Sequence, residues 1–94
     1  MSYFTYIMAS KRYGTLYVGV TNDIMKRAYE HREGLVVGFT KRYAVKMLVY
    51  FEMHEEITEA IRREKSIKRW SRKMKIEMIQ QMNPQWNDLY FTLF

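Results

Sequence analysis

The sequence predicts an α+β fold, a three-stranded antiparallel sheet flanked by helices, in one domain over residues 1–94. Three observations carry this. Two runs rich in Tyr, Thr, Val and Ile, Phe4 to Ala9 and Thr15 to Val20, flank KRYG, a short turn ending in glycine, which marks a β-hairpin. A further apolar run, KMLVYFE from Lys46 to Glu52, reads as a third strand, and helical patterns stand before and after it. With 94 residues and 48% hydrophobic content, the chain can build one small core and not two.

In the hairpin, if Ser10 faces Thr15 across the turn, then Met8 faces Tyr17 and Tyr6 faces Gly19. Both tyrosines then project from one side of the sheet. Glycine inside a strand costs stability, and close approach of another group is its usual reason. Gly19 would leave room beside Tyr6, whether for two core tyrosines at a strand bend or for a functional group.

Thr21, Asn22 and Asp23 are residues that cap helix starts; IMKRAYEHRE follows, and Gly34 suits a helix stop. Arg27 and His31 stand four apart and share a face with Ile24 and Ala28, which looks towards the sheet. An arginine there needs an anion or a hydrogen-bonding partner, unless its stem lies on the core and its head reaches water. Leu35 to Val45 is expected to be a loop leading into the third strand.

From about Glu56 to Trp70 apolar residues recur at helical spacing. With Ile57 at zero and about 100° per residue, Ala60 falls near 300°, Ile61 near 40° and Ile67 near 280°. Glu64 falls near 340° on the same wheel, in the middle of the apolar stripe. A carboxylate there must pair with a cation such as Arg27 or bind a metal. Mg²⁺ is commonly held by one or two carboxylates, with water and substrate phosphates completing the shell. Ser71 can cap a second start, Arg72 to Met82 gives another helix, and Pro84 ends it. The tail NPQWNDLYFTLF carries Trp86, Leu89, Tyr90 and Phe91 and is expected to dock on the domain, on a protein partner or on a second copy.

The formal charge is +6, from 16 basic and 10 acidic residues, which favours an anionic partner. Eight of the 16 basic residues lie in RREKSIKRWSRKMK, Arg62 to Lys75, where Glu64 is the single acid. With no cysteine, disulfides, thiol catalysis and thiolate zinc sites are excluded, and a reducing cytoplasm fits. No segment approaches the roughly 20 apolar residues of a membrane helix, and the first residues lack a basic leader, so a soluble cytoplasmic protein is expected. There is no phosphate-binding glycine loop and no histidine pair at zinc spacing. Phosphodiester cleavage needs an activated water, a cation on the phosphate and a metal at the departing oxygen. Tyrosine or histidine could carry the proton, Arg27 could clamp the phosphate, and Glu64 could hold the metal.

These residues resemble the GIY-YIG nuclease family. Its first signature appears as Phe4-Thr5-Tyr6, keeping the tyrosine alone, and its second as Tyr17-Val18-Gly19. The family's helical arginine about eight residues on is matched by Arg27, the histidine or tyrosine four later by His31, and the metal-binding glutamate by Glu64 in AIRREKSIKRW. The resemblance runs from Tyr3 to about Leu89 and is strongest to small stand-alone members with a similar basic segment and an NPxWxDLY-like tail. It implies a divalent cation, Mg²⁺ or Mn²⁺, at Glu64 and hydrolysis of DNA phosphodiester bonds, in repair or recombination; RNA stays open as a substrate. It implies that Tyr6 or Tyr17 orients or deprotonates the water and that Arg27 holds the phosphate. For the family's late asparagine Asn83 and Asn87 compete, and the Pro-x-Trp context favours Asn87. Nucleic-acid contacts are expected from Lys41, Arg42, Arg63, Lys68, Arg69, Arg72 and Lys73. The alternative is a non-catalytic nucleic-acid binder on the same fold, with Tyr43 and Trp70 stacking on bases.

Overall fold

The first two strands close in the register the sequence implies. β1 (Tyr3–Ala9) and β2 (Leu16–Thr21) pair antiparallel, with Tyr6 opposite Gly19 and Met8 opposite Tyr17. The turn is tied twice: the Ser10 amide donates to the Thr15 carbonyl at 3.0 Å, and the Thr15 amide donates to Ser10 Oγ at 2.9 Å. The computed structural model describes residues 1–94.

Of the three cap-type residues, Asp23 does the capping of α1 (Ile24–Arg32), accepting from the Lys26 amide at 3.1 Å. Thr21 Oγ1 accepts the Asp23 amide and so aims the cap. Gly34 adopts a left-handed φ of 68° just beyond the helix. The expected loop then contains one helical turn, α2 (Phe39–Arg42), entered through Gly38 at φ 92°. A single turn is too short to show a period in sequence. β3 (Met47–His54) runs on past Glu52 because Met53 and His54 pair with Phe4 and Tyr3. α3 (Ile57–Arg69) and α4 (Arg72–Met82) follow, the latter capped by Ser71, and a 3₁₀ helix (Leu89–Thr92) closes the chain.

The sheet order is β2-β1-β3, with both pairings antiparallel. The alternation of β1 splits the core into two layers. Ile7 and Ala9 pack with Val18, Val49, Ile67 of α3, Ile79 of α4 and Trp86. Tyr6 and Met8 pack with Leu48, Val45 and Ile24 and Ala28 of α1. Leu89, Tyr90 and Leu93 of the tail add to this second layer. α1 and the closing 3₁₀ helix therefore cover one face of the sheet, and α3, α4 and Trp86 cover the other.

The apolar stripe expected on α3 is narrower than Ile57, Ala60, Ile61 and Ile67 together. Ala60 and Ile67 are fully buried, whereas Ile57 and Ile61 are 47% and 38% exposed. Thr5 Oγ1 donates to the Ala60 carbonyl at 2.9 Å, and the small Ala60 side chain lets the helix approach β1 there. The buried arc is turned away from Ile61, and Glu64 lies at its margin instead of its middle.

Candidate active site

β1 delivers Tyr6 into the α1 layer, where it is 1% exposed. The space it occupies is the space a side chain at position 19 would need. A Cβ on Gly19 would stand 2.6 Å from Tyr6 Oη, 2.7 Å from its Cζ and 3.0 Å from Tyr17 Cε2. His31, on the last turn of α1, is buried and reaches the tyrosine, with Nε2 3.1 Å from Tyr6 Oη. The three rings form a triangle: centroids lie 6.4 Å apart for Tyr6 and Tyr17, 5.7 Å for Tyr6 and His31, and 5.6 Å for Tyr17 and His31.

Burial sets the protonation of this group. Tyr6 is held well above the usual tyrosine range, first by burial and then by Tyr17 beside it, with Arg27 pulling the other way. Burial, reinforced by the positive charge of Arg27, pushes His31 down to about 4. At neutral pH both side chains are uncharged. His31 Nδ1 is buried without a partner. One hydrogen bond therefore serves both rings, and the His31 tautomer sets which of them donates.

Arg27 sits half-buried at the rim of the triangle. Its Nε donates to Glu30 Oε1 at 3.1 Å. This corrects the expected pairing with Glu64. An i,i+3 ion pair this exposed is weak, so a phosphate could displace Glu30. Glu64 instead pairs within its own helix, with Lys68 Nζ 3.5 Å away. No hydrogen bond or ion pair links Glu64 to Tyr6, Tyr17, Arg27 or His31. It stands on the opposite layer, but α3 packs on β2 as well as β1, and β2 is the edge strand that carries Tyr17. No three His, Cys, Asp or Glu side chains converge anywhere in the chain. Glu64 therefore offers one carboxylate, a donor set that suits Mg²⁺ with water and substrate phosphates and not an all-protein cage.

Asn87 is exposed, and its own amide is what the fold uses, donating to Asn83 Oδ1 at 3.0 Å. Asn83 is the buried asparagine: its Nδ2 donates to the Val49 and Asn87 carbonyls at 3.1 and 2.9 Å.

The expected nucleic-acid contacts divide in two. Lys41, Arg42, Arg69 and Lys73 are exposed and make no ion pair, and exposed Lys68 is engaged with Glu64. Arg63 is committed elsewhere: its Nε donates to both Glu52 oxygens, at 3.1 and 2.9 Å, and its guanidinium lies 5.1 Å from the Trp70 ring centre. Trp70 is correspondingly half-buried under it. Arg72 clamps the hairpin turn, donating to the Tyr13 and Gly14 carbonyls at 2.5 and 2.8 Å. Both arginines are therefore engaged within the fold, while Arg72 stays exposed and Arg63 part-exposed. The sequence reading also passed over two neighbours of the group. Glu30 could have been found from its i,i+3 spacing to Arg27. Phe39 stands on the unrecognised turn, 6.4 Å from Tyr17 and 4.7 Å from Tyr43 between ring centres, and both outer rings are about half exposed.

Known proteins resemble this chain in sequence and in fold. The family model for the GIY-YIG catalytic domain matches residues 2–77. A UPF0213 protein of Staphylococcus saprophyticus is 39% identical over 77 residues, which are 82% of this chain and 93% of that protein. A UPF0213 protein of Staphylococcus aureus is 36% identical over 80 residues, 85% of this chain and 96% of that one. Among solved structures, the solution NMR structure of a UPF0213 protein from Bacillus halodurans matches with a TM-score of 0.58 at 25% identity, covering 94% of this chain and 93% of that one. With the family model matched over residues 2–77 and relatives of this identity and coverage, the chain belongs to the GIY-YIG family, among relatives that are small UPF0213 proteins.

Proposed function

We propose that the protein is a divalent-metal-dependent endonuclease that hydrolyses DNA phosphodiester bonds, with Tyr6, Tyr17, Arg27, His31, Glu64 and Asn87 as its site. The observation that carries this reading is the buried Tyr6–His31 hydrogen bond seated in the space left by Gly19. A packing pair of this kind has no need of an arginine at its rim held only by an exposed i,i+3 ion pair, and a nuclease does. Arg27 takes a non-bridging phosphate oxygen in place of Glu30. Tyr6, held protonated, orients the reacting oxygen through its hydroxyl together with His31. Tyr17, half-buried against His31, is the ring placed to meet the attacking water. Glu64 would hold Mg²⁺ or Mn²⁺, which when bound supplies stabilisation of the departing oxygen. Lys41 and Arg42, next to the exposed Phe39 and Tyr43 rings, give phosphate contact and base stacking at the mouth of the site, which favours branched or unpaired substrates. A role in repair or recombination belongs to this reading, as does work in the cytoplasm. No helix of the chain is long and apolar enough to cross a membrane. Phe91 and Phe94, exposed on the docked tail, offer a contact for a protein partner or a second copy.

The second reading, a non-catalytic nucleic-acid binder, is favoured by the same exposed aromatic and basic groups on α2. Cleavage of labelled branched, flapped, single-stranded and duplex DNA, and of RNA, with Mg²⁺ or Mn²⁺ separates the two. The nuclease reading expects cutting that requires metal, is lost in Glu64→Gln with binding retained, and is lost in Arg27→Ala. Salt-sensitive binding by all three proteins without any cutting would leave the binder.

A further inference from the structure

We infer that the C-terminal segment from Asp88 to Phe91 positions His31, by holding the last turn of α1 through Arg32. The inference rests on His31 belonging to the proposed site. α1 has two polar side-chain ties to the rest of the fold, and they leave from adjacent residues: His31 to Tyr6, and Arg32 to Asp88. Its other side-chain bonds, Asp23 to Lys26 and Arg27 to Glu30, are local.

The second tie is built for rigidity. One Asp88 oxygen accepts from the Leu48 amide of β3 and the Tyr90 amide, both at 3.1 Å, while the other takes the Arg32 guanidinium. The Asp88 side chain is 15% exposed, so its charge is largely withdrawn from water and needs that cation. The Arg32 guanidinium carbon also lies 4.9 Å from the Tyr90 ring centre and 4.6 Å from that of Phe91. A carboxylate fixed to the sheet thus grips the residue next to His31. Past Glu33 the chain leaves the helix at Gly34; the Gly34 and Leu35 amides close the last turn onto the His31 and Glu30 carbonyls at 3.2 and 2.8 Å, and Leu35 and Val37 are then largely exposed, so this side ties α1 to its own backbone and the sheet is reached through Asp88. The segment lies beyond residues 2–77, the span matched by the family model, so the tie is supplied from outside the matched catalytic domain. Tyr6, Tyr17, Arg27 and Glu30 are the titratable or charged groups that act on His31 or touch its ring.

The test replaces Asp88→Asn and Arg32→Gln and reads the His31 imidazole by long-range ¹H–¹⁵N NMR through a pH titration, with kcat and KM measured on a cleaved DNA. A loosened last turn should admit water, so the His31 titration should move up from about 4 towards 6.5 in both variants. Cleavage should lose kcat several-fold with KM little changed, because Arg27 is untouched, and Arg32→Lys should restore part of both readouts. Ile79→Val, in the core of the opposite layer, should leave the imidazole signals in place. Folded variants in which His31 titrates as in the wild type would overturn the inference. If Asp88→Asn does not fold, Arg32→Gln decides alone, since it leaves the Leu48 and Tyr90 bonds intact. The NMR result stands even if the wild type cuts nothing, so the positioning role and the nuclease reading fail separately.

Discussion

Gly19 faces Tyr6 across the first hairpin, and a Cβ at position 19 would come within 2.6 Å of the tyrosine hydroxyl oxygen. The ring cannot swing aside cheaply, because it is fully buried and bonded to His31. Gly19→Ala is therefore expected to destabilise the fold by about 1–3 kcal/mol, the usual range for overpacking. It should also displace Tyr6 from His31. Urea denaturation and the His31 imidazole signal check both; an alanine variant with wild-type stability would show that the tyrosine has another place to go.

His31 gives the fold a pH dependence with a definite sign. Its folded value, about 4, lies below the unfolded 6.5, so between those limits the unfolded chain binds the extra proton. Stability is unaffected above about pH 6.5 and falls as pH drops towards 4, by up to about 3 kcal/mol at roughly 1.4 kcal/mol per pKa unit. His31→Gln should flatten this part of the stability curve. Denaturation midpoints at pH 7, 6, 5 and 4 for both proteins measure it, and parallel curves would rule out His31 as the source.

The two late asparagines should separate cleanly. Asn83→Ala removes three hydrogen bonds, two of them joining the Asn87 backbone and one joining the Val49 carbonyl of β3. A loss of about 2–4 kcal/mol is expected from three bonds in a buried setting, each worth about 1 kcal/mol. Asn87→Ala leaves that backbone network whole and should cost less than about 0.5 kcal/mol, as for an exposed side chain. If Asn87 serves the site, its alanine variant loses cleavage at full stability. Thermal melts beside the cleavage assay distinguish the cases.

Much of the site was legible because it follows from period. Strand alternation and a tight turn fix Tyr6 opposite Gly19 and Tyr17 on the same side of the hairpin, and helical spacing puts His31 on the face of Ile24 and Ala28. The wheel misled at Glu64 because it weights every apolar residue alike. Ile57 and Ile61 stay exposed, and the contact of Ala60 with β1 decides which arc of α3 is buried. The basic run likewise reads as one patch along the chain. Folded, Arg63 goes to Glu52 and Arg72 to the hairpin turn, since guanidinium groups find acceptors wherever tertiary contacts bring them.

By itself the sequence determined the α+β class, the hairpin register, the placement of the tyrosines, arginine and histidine, and the family, since each depends on local spacing or on order along the chain. Only the tertiary structure decided the rest. It put His31 on Tyr6, turned Glu64 to Lys68 instead of Arg27, set Phe39 beside Tyr17, and brought Asp88 to Arg32 across 56 positions of chain. The Glu64–Lys68 pair follows helical spacing, but the other partners are chosen by which faces pack against the sheet, and residues so far apart in sequence carry no period that could reveal it.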